Sequence, residues 1–201
     1  MKIIIVGIGA LGSNLASNLI ADIANDKKHG FTVLDYQDVE ARNIQAYTQE
    51  YLHEQIGMSK LKALRINLYQ RYKVAVNNID SKITSIDMSN MTINIAILKN
   101  FDLIIDCLDN YEGRKWLTDF AKEYGVECIH LGFSPQMTYQ IAWNEGYEPQ
   151  EGNDKIDICE LPGAASFVRL VAGLGASVII EYFKDKKKIG LIGNRFSIQR
   201  L

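Results

Sequence analysis

Cysteine and proline are scarce, with three of each in 201 residues. Cys107, Cys128 and Cys159 are widely spaced and odd in number, which excludes a disulfide framework and any C-x-x-C zinc site. No zinc is expected. A strong charge bias is missing too: 22 Lys and Arg stand against 24 Asp and Glu, a formal net charge of −2. That balance gives neither nucleic acid nor an anionic membrane a reason to be the main partner. The lysine-rich run from Lys184 to Lys188 fits the end of a helix, where cations meet the negative pole of the dipole. No apolar stretch is expected to approach the roughly 18 residues of a membrane-spanning helix. No signal-like segment precedes the first apolar run, so a cytoplasmic protein is the expectation.

What the sequence does have is alternation. Apolar, strand-like runs near residues 2–6, 31–35, 74–79, 102–107 and 126–131 are separated by helical patterns near 11–25, 58–71, 91–99, 111–124 and 164–184. Alternation of this kind predicts a single α/β domain over residues 1–201, Rossmann-like, with a mostly parallel sheet and helices on both faces. The runs at 2–6 and 102–107 are almost wholly apolar, as central strands covered on both sides require. Residues 137–143 alternate like an antiparallel strand. Residues 188–192 and 195–199 read as a hairpin turning on Gly193-Asn194, a C-terminal antiparallel extension. Residues 144–163 form an irregular crossover loop, the kind of connection that is usually functional.

Gly7-Ile8-Gly9-Ala10-Leu11-Gly12 follows the first strand and opens a helix, the setting that a dinucleotide fingerprint needs. Gly7 makes the tight turn, Gly9 lets backbone approach phosphate, and Gly12 lets helix and strand pack. Phosphate can then sit on free N–H groups at the positive helix end. Asp35 closes the second strand 23 residues after Gly12, near the spacing of a carboxylate that accepts from ribose hydroxyls. These residues fit NAD and ATP equally well.

Further on come Asp35-Tyr36-Gln37-Asp38-Val39 with Asn43, then Gly57-Met58-Ser59-Lys60, then Asp106-Cys107-Leu108-Asp109-Asn110 with Arg114 four residues beyond. Taken by chemistry alone, Lys60 could be a solvated helix lysine, and Asp109 could cap the helix that Asn110 begins. In order and spacing, however, the segments resemble the ThiF/MoeB/ubiquitin-activating-like adenylyltransferase superfamily. Its pattern is G-x-G-x-x-G-S, then D-x-D-x-V-x-x-x-N-x-x-R, then G-x-x-K, then D-x-x-D-N. The likeness covers residues 3–117 and continues less distinctly to about residue 183.

The resemblance implies ATP and Mg²⁺ as cofactors. It makes Lys60 the bridge between phosphates, Asp109 the metal ligand and Asp35 the ribose contact, with Asn43 and Asn110 also on the nucleotide. Two positions depart from the pattern: Gln37 replaces its second aspartate and Ala46 its arginine. A charge-assisted contact to the triphosphate is thereby lost, and Arg42 is the nearest substitute in sequence. Cys107 and Cys128 lie in apolar strands and read as inert packing residues. Cys159 stands in the irregular segment ahead of Pro162, Gly163 and a long helix, like the thioester cysteine of ubiquitin-activating relatives; acceptor thiol and incidental cysteine both remain open. His130 reads as a satisfied structural histidine.

The function implied is adenylation of the C-terminal carboxylate of a small ubiquitin-like or sulfur-carrier protein, by a homodimer or heterodimer. A non-catalytic subunit paired with an active partner is the alternative, and an NAD-dependent oxidoreductase a third.

Overall fold

The computed structural model describes residues 1–23, 28–80, 95–151 and 161–201. The predicted helix over 91–99 lies partly outside these residues, and Cys159 wholly so. Residues 95–98 are helical.

The first strand, β1 (Lys2–Val6), sets the architecture. Ile3, Ile4, Ile5 and Val6 are all fully buried, which requires cover on both faces of the sheet. Alternation along the strand supplies it. Ile3 and Ile5 join a cluster with Leu15 and Leu19 of α1 (Ala10–Ile23), Leu64 and Leu68 of α3 (Lys60–Tyr72) and Val171 and Ile179 of α5 (Ala164–Asp185). Ile4 and Val6 face the other way, toward Leu117, Phe120 and Ala121 of α4 (Tyr111–Tyr124).

Eight strands form one sheet in the order β3-β2-β1-β4-β5-β6-β7-β8. β1, β2 (Gly30–Asp35), β3 (Asn77–Asp80), β4 (Leu103–Asp106) and β5 (Glu127–Phe133) run parallel. β6 (Thr138–Trp143), β7 (Leu191–Asn194) and β8 (Ser197–Arg200) continue the sheet antiparallel. The chain goes from β1 outward to β2 and β3, then returns to place β4 on the other side of β1. That reversal opens a crevice beyond the carboxyl end of β1, where open α/β sheets bind ligands.

The predicted α/β sheet with its antiparallel extension is observed, and four details differ. β3 begins at Asn77 rather than at 74, because Lys73 ends α3 in the left-handed region (φ 60°) and the next residues carry the chain back to the sheet. In the hairpin, Asn194 pairs with Ser197, so the turn is Arg195-Phe196. Gly193 is a strand residue instead: a Cβ there would meet the Ser197 carbonyl oxygen at 2.1 Å and the Tyr139 hydroxyl at 2.8 Å. Finally, α5 is long and apolar enough to cross a membrane by length and composition, at a mean hydropathy of 1.6. Half of that stretch is buried against the rest of the protein, as in a core helix. A short helix, α2 (Ala41–Gln45), was not expected.

Candidate functional site

The glycine turn sits at the crevice. Gly7 has φ 82°, and a Cβ there would press on the Cys107 carbonyl at 3.1 Å. At Gly12 a Cβ would lie 1.9 Å from the Gly7 carbonyl oxygen, so turn and helix approach too closely for any side chain. Gly9 has no neighbour within 4 Å of such an atom. Two glycines are thus demanded by packing, while the third faces open space, as a backbone meant to receive a ligand does.

Asp35 ends β2 buried, with its carboxylate turned onto the backbone. Oδ2 accepts from the Ile8 N–H inside the glycine turn at 2.9 Å. Oδ1 accepts from the N–H groups of Tyr36 and Gln37 at 2.7 and 2.8 Å. The turn is held from a second side by Tyr51, whose hydroxyl donates to the Ile8 carbonyl at 2.5 Å. Burial, and then the Asp35 charge, push the Tyr51 hydroxyl well above its ordinary pKa, so it stays a donor.

Lys60 opens α3 and is 4% exposed. Its backbone N–H donates to the Gln37 carbonyl at 2.9 Å, and its ammonium donates to Gln37 Oε1 at 2.7 Å. Among the described residues the ammonium has no ion-pair partner. It is not a solvated helix lysine. Through Gln37 it is tied to Asp35, and through Asp35 to the glycine turn.

The other predicted residues fall as follows. Asn43 is buried on α2, where its Oδ1 accepts from the Glu40 N–H at 2.8 Å. Asn110 is the N-cap of α4, accepting from the Gly113 N–H at 2.7 Å. Asp109 is exposed beyond the end of β4. Among the described residues no three His, Cys, Asp or Glu groups gather to hold a metal. Magnesium is usually bound by one or two carboxylates together with substrate phosphates. Asp109 offers one exposed carboxylate, the kind of ligand that such a metal takes from a protein. Ala46 lines a cavity of about 330 Å³ between α2 and the first turn of α5, with Arg42, Gln45, Leu161 and Gly163.

Behind the crevice lies a buried network that sequence reasoning missed. Asp106 Oδ2 is 2.8 Å from His130 Nδ1 and 3.5 Å from the Arg114 guanidinium. His130 Nε2 is 2.8 Å from Asn144 Oδ1, and the ring stacks on Tyr147 with centroids 4.0 Å apart. Arg114 also donates to the Tyr147 hydroxyl and the Leu131 carbonyl. His130 is the satisfied, buried histidine expected. Cys107 and Cys128 are likewise buried free thiols, the Cys107 pKa raised by burial and then by Asp106.

Fold and site together define an α/β protein that presents a glycine turn at the switch point of a mostly parallel sheet, tied to a buried lysine beyond the end of the neighbouring strand β2. Within that class the chain belongs to the ThiF family, whose family model matches residues 1–200. It is 29% identical over 200 residues to molybdopterin-synthase adenylyltransferase of Haemophilus influenzae, covering 94% of this chain and 76% of that protein. It is 28% identical over 135 residues to SUMO-activating enzyme subunit 2 of Dictyostelium discoideum, covering 65% of this chain and 18% of that protein. In structure it is similar to E. coli MccB crystallised with AMPCPP and MccA, with a TM-score of 0.75 at 15% identity. The likeness covers all of this chain and 63% of that one, and it shows the fold.

Proposed function

We propose that this chain uses ATP to adenylate the C-terminal carboxylate of a small ubiquitin-like or sulfur-carrier protein. The observation that carries the reading is the connected set of glycine turn, Asp35, Gln37 and buried Lys60 at the switch point. A carboxylate oxygen attacks the α-phosphorus, the bond from that phosphorus to the bridging oxygen breaks, and pyrophosphate leaves. The products are an acyl-adenylate and pyrophosphate. Both reactants are anionic, so stabilisation of charge at the phosphates is the main requirement.

In this reading the open backbone at Gly9 receives phosphate and Lys60 bears on its charge. Asp35 fixes the turn and keeps one lone pair free to accept from a ribose hydroxyl, Asn43 and Asn110 contact the nucleotide, and Asp109 would hold Mg²⁺. The metal supplies neutralisation of the polyphosphate. Cys159 then takes the acyl group as a thioester: its thiolate attacks the acyl carbon and AMP leaves. The enzyme acts in the cytoplasm as a homodimer or heterodimer.

The test is ATP–pyrophosphate exchange that depends on a carrier protein ending in a free carboxylate. Exchange lost in Lys60→Ala but kept in Cys159→Ser, with the thioester absent from the latter, is the expected pattern. Exchange absent with every carrier, and Mg-ATP binding absent by calorimetry, favours a second reading. In that one the chain is a non-catalytic subunit paired with an active partner, a role suggested by Ala46 where the pattern has arginine. Stronger binding of NAD than of ATP would revive the oxidoreductase.

A further inference from the structure

We infer that Arg42 gives the terminal phosphates of the nucleotide the cationic contact that Ala46 lacks, reaching from one helical turn earlier into the cavity that both residues line. The inference rests on the ATP-binding reading of this site and assigns a phosphate-binding role to a residue outside the family pattern.

Ala46 caps the end of α2, and its N–H donates to the Arg42 carbonyl at 3.4 Å, so the two side chains share one face of the helix. Both line the cavity of about 330 Å³ whose opposite wall is the first turn of α5. The methyl of Ala46 fills little of that space. Among the described residues that line it, Arg42 alone carries a charge, and a cavity with one cation and no carboxylate favours an anion.

The cavity also lies at the correct end of the sheet. Phe167, in the first turn of α5, packs edge-on against Phe133 at the carboxyl end of β5. Just after Ala46, the Thr48 carbonyl accepts from Asn14 Nδ2 at 2.8 Å, and the Glu50 N–H donates to Ser13 Oγ at 3.2 Å. These bonds fasten the end of α2 to the first turns of α1, the helix that the glycine turn opens. A phosphate chain that starts at Gly9 and runs toward α2 therefore meets the cavity. The planar guanidinium of Arg42 suits it, because its fork can take a phosphate by two parallel N–H bonds. Its Nε already pairs with Glu40 at 2.5 Å, but the two side chains are 63% and 52% exposed. An ion pair so exposed is weak, and Arg42 can share its fork with a phosphate or exchange one partner for the other.

The experiment measures Mg-ATP and AMP binding by calorimetry in the wild type, Arg42→Ala and the double variant Arg42→Ala with Ala46→Arg, alongside thermal unfolding of each. Arg42→Ala is expected to weaken Mg-ATP at least about tenfold, the strength of one charge-assisted contact. AMP lacks the terminal phosphates, so its affinity is expected to stay at the wild-type value. The melting temperature is expected to stay there too, because the Arg42 side chain is exposed. Adding Ala46→Arg returns a guanidinium to the same cavity and is expected to recover most of the lost Mg-ATP affinity. A purely structural role for Arg42 would move both ligands together and would not be rescued from position 46. Unchanged Mg-ATP binding in Arg42→Ala overturns the inference and leaves the function standing. So does an equal loss of ATP and AMP affinity. A double variant as weak as Arg42→Ala puts the phosphates outside the shared cavity and overturns it as well. A wild type that does not bind Mg-ATP sinks the ATP reading, and the inference with it.

Discussion

Asp106 and His130, 24 residues apart in sequence, meet side by side on β4 and β5 with Oδ2 2.8 Å from Nδ1, and both side chains are fully buried. Burial raises the Asp106 carboxyl. The Arg114 charge, the His130 contact and the Leu108 N–H outweigh it and hold the group below the usual carboxylate range. A carboxylate whose pKa is lower folded than unfolded contributes stability that is present above about pH 4 and lost as pH falls through the folded value. Asp106→Asn removes that contribution and leaves Arg114 buried beside a neutral amide. The expected loss at pH 7 is about 3–5 kcal/mol, and the acid limb of the stability profile becomes flatter. Denaturant unfolding from pH 7 down to pH 3 checks both; an unfolding midpoint equal to that of the wild type at pH 7 sinks the prediction.

Gly9 and Gly12 should separate binding from folding. Gly12→Ala drives a methyl into the Gly7 carbonyl, and overpacking of this kind costs about 1–3 kcal/mol. Gly9→Ala has room on every side in the free protein, so its melting temperature stays near that of the wild type. Its nucleotide affinity falls, because the methyl occupies the approach to the turn. Calorimetry beside thermal unfolding distinguishes the two, and equal effects of both variants on stability would refute the assignment.

Asp109 is exposed, and its substitution should leave the fold alone. Asp109→Asn is expected to change stability by less than about 0.5 kcal/mol, as surface changes do. Pyrophosphate exchange should fall about a hundred- to a thousandfold, the usual loss when one electrostatic contact at a reacting group is removed. Raising the magnesium concentration should recover part of the rate. Wild-type exchange at low magnesium would remove Asp109 from the site.

Tyr51 ties the connection after α2 to the glycine turn, through a donor that burial keeps protonated. Tyr51→Phe leaves the Ile8 carbonyl without that bond, for a loss of about 1–2 kcal/mol. Amide hydrogen exchange at Ile8 and Gly9 should rise with it. Unchanged protection there would show that Asp35 alone fixes the turn.

The sheet was legible because its signals are local. The apolar run of β1, the glycines behind it and Asp35 at the end of β2 all lie within one β-α-β unit. Alternation at 137–143 announced an antiparallel strand for the same reason. The Gly193-Asn194 turn misled because a strong local signal was overridden by Tyr139, a residue of the neighbouring strand that needs the glycine's missing side chain. The Asp106, His130, Asn144 and Arg114 network could not be read ahead of the fold. Its members come from β4, α4, β5 and the turn after β6, and only the strand register brings them together. Lys60 was visible as a candidate, but its burial and its bond to Gln37 depend on how residues 38–59 return the chain to the end of β2.

The bonds from Ile8 to Asp35 and Tyr51 join partners within one chain, so forming them takes no ligand atom. The receiving surface is a mould already cast. A molecule that docks there surrenders its own freedom while the protein surrenders little, and heat-capacity changes on docking should reflect contact alone rather than coupled ordering.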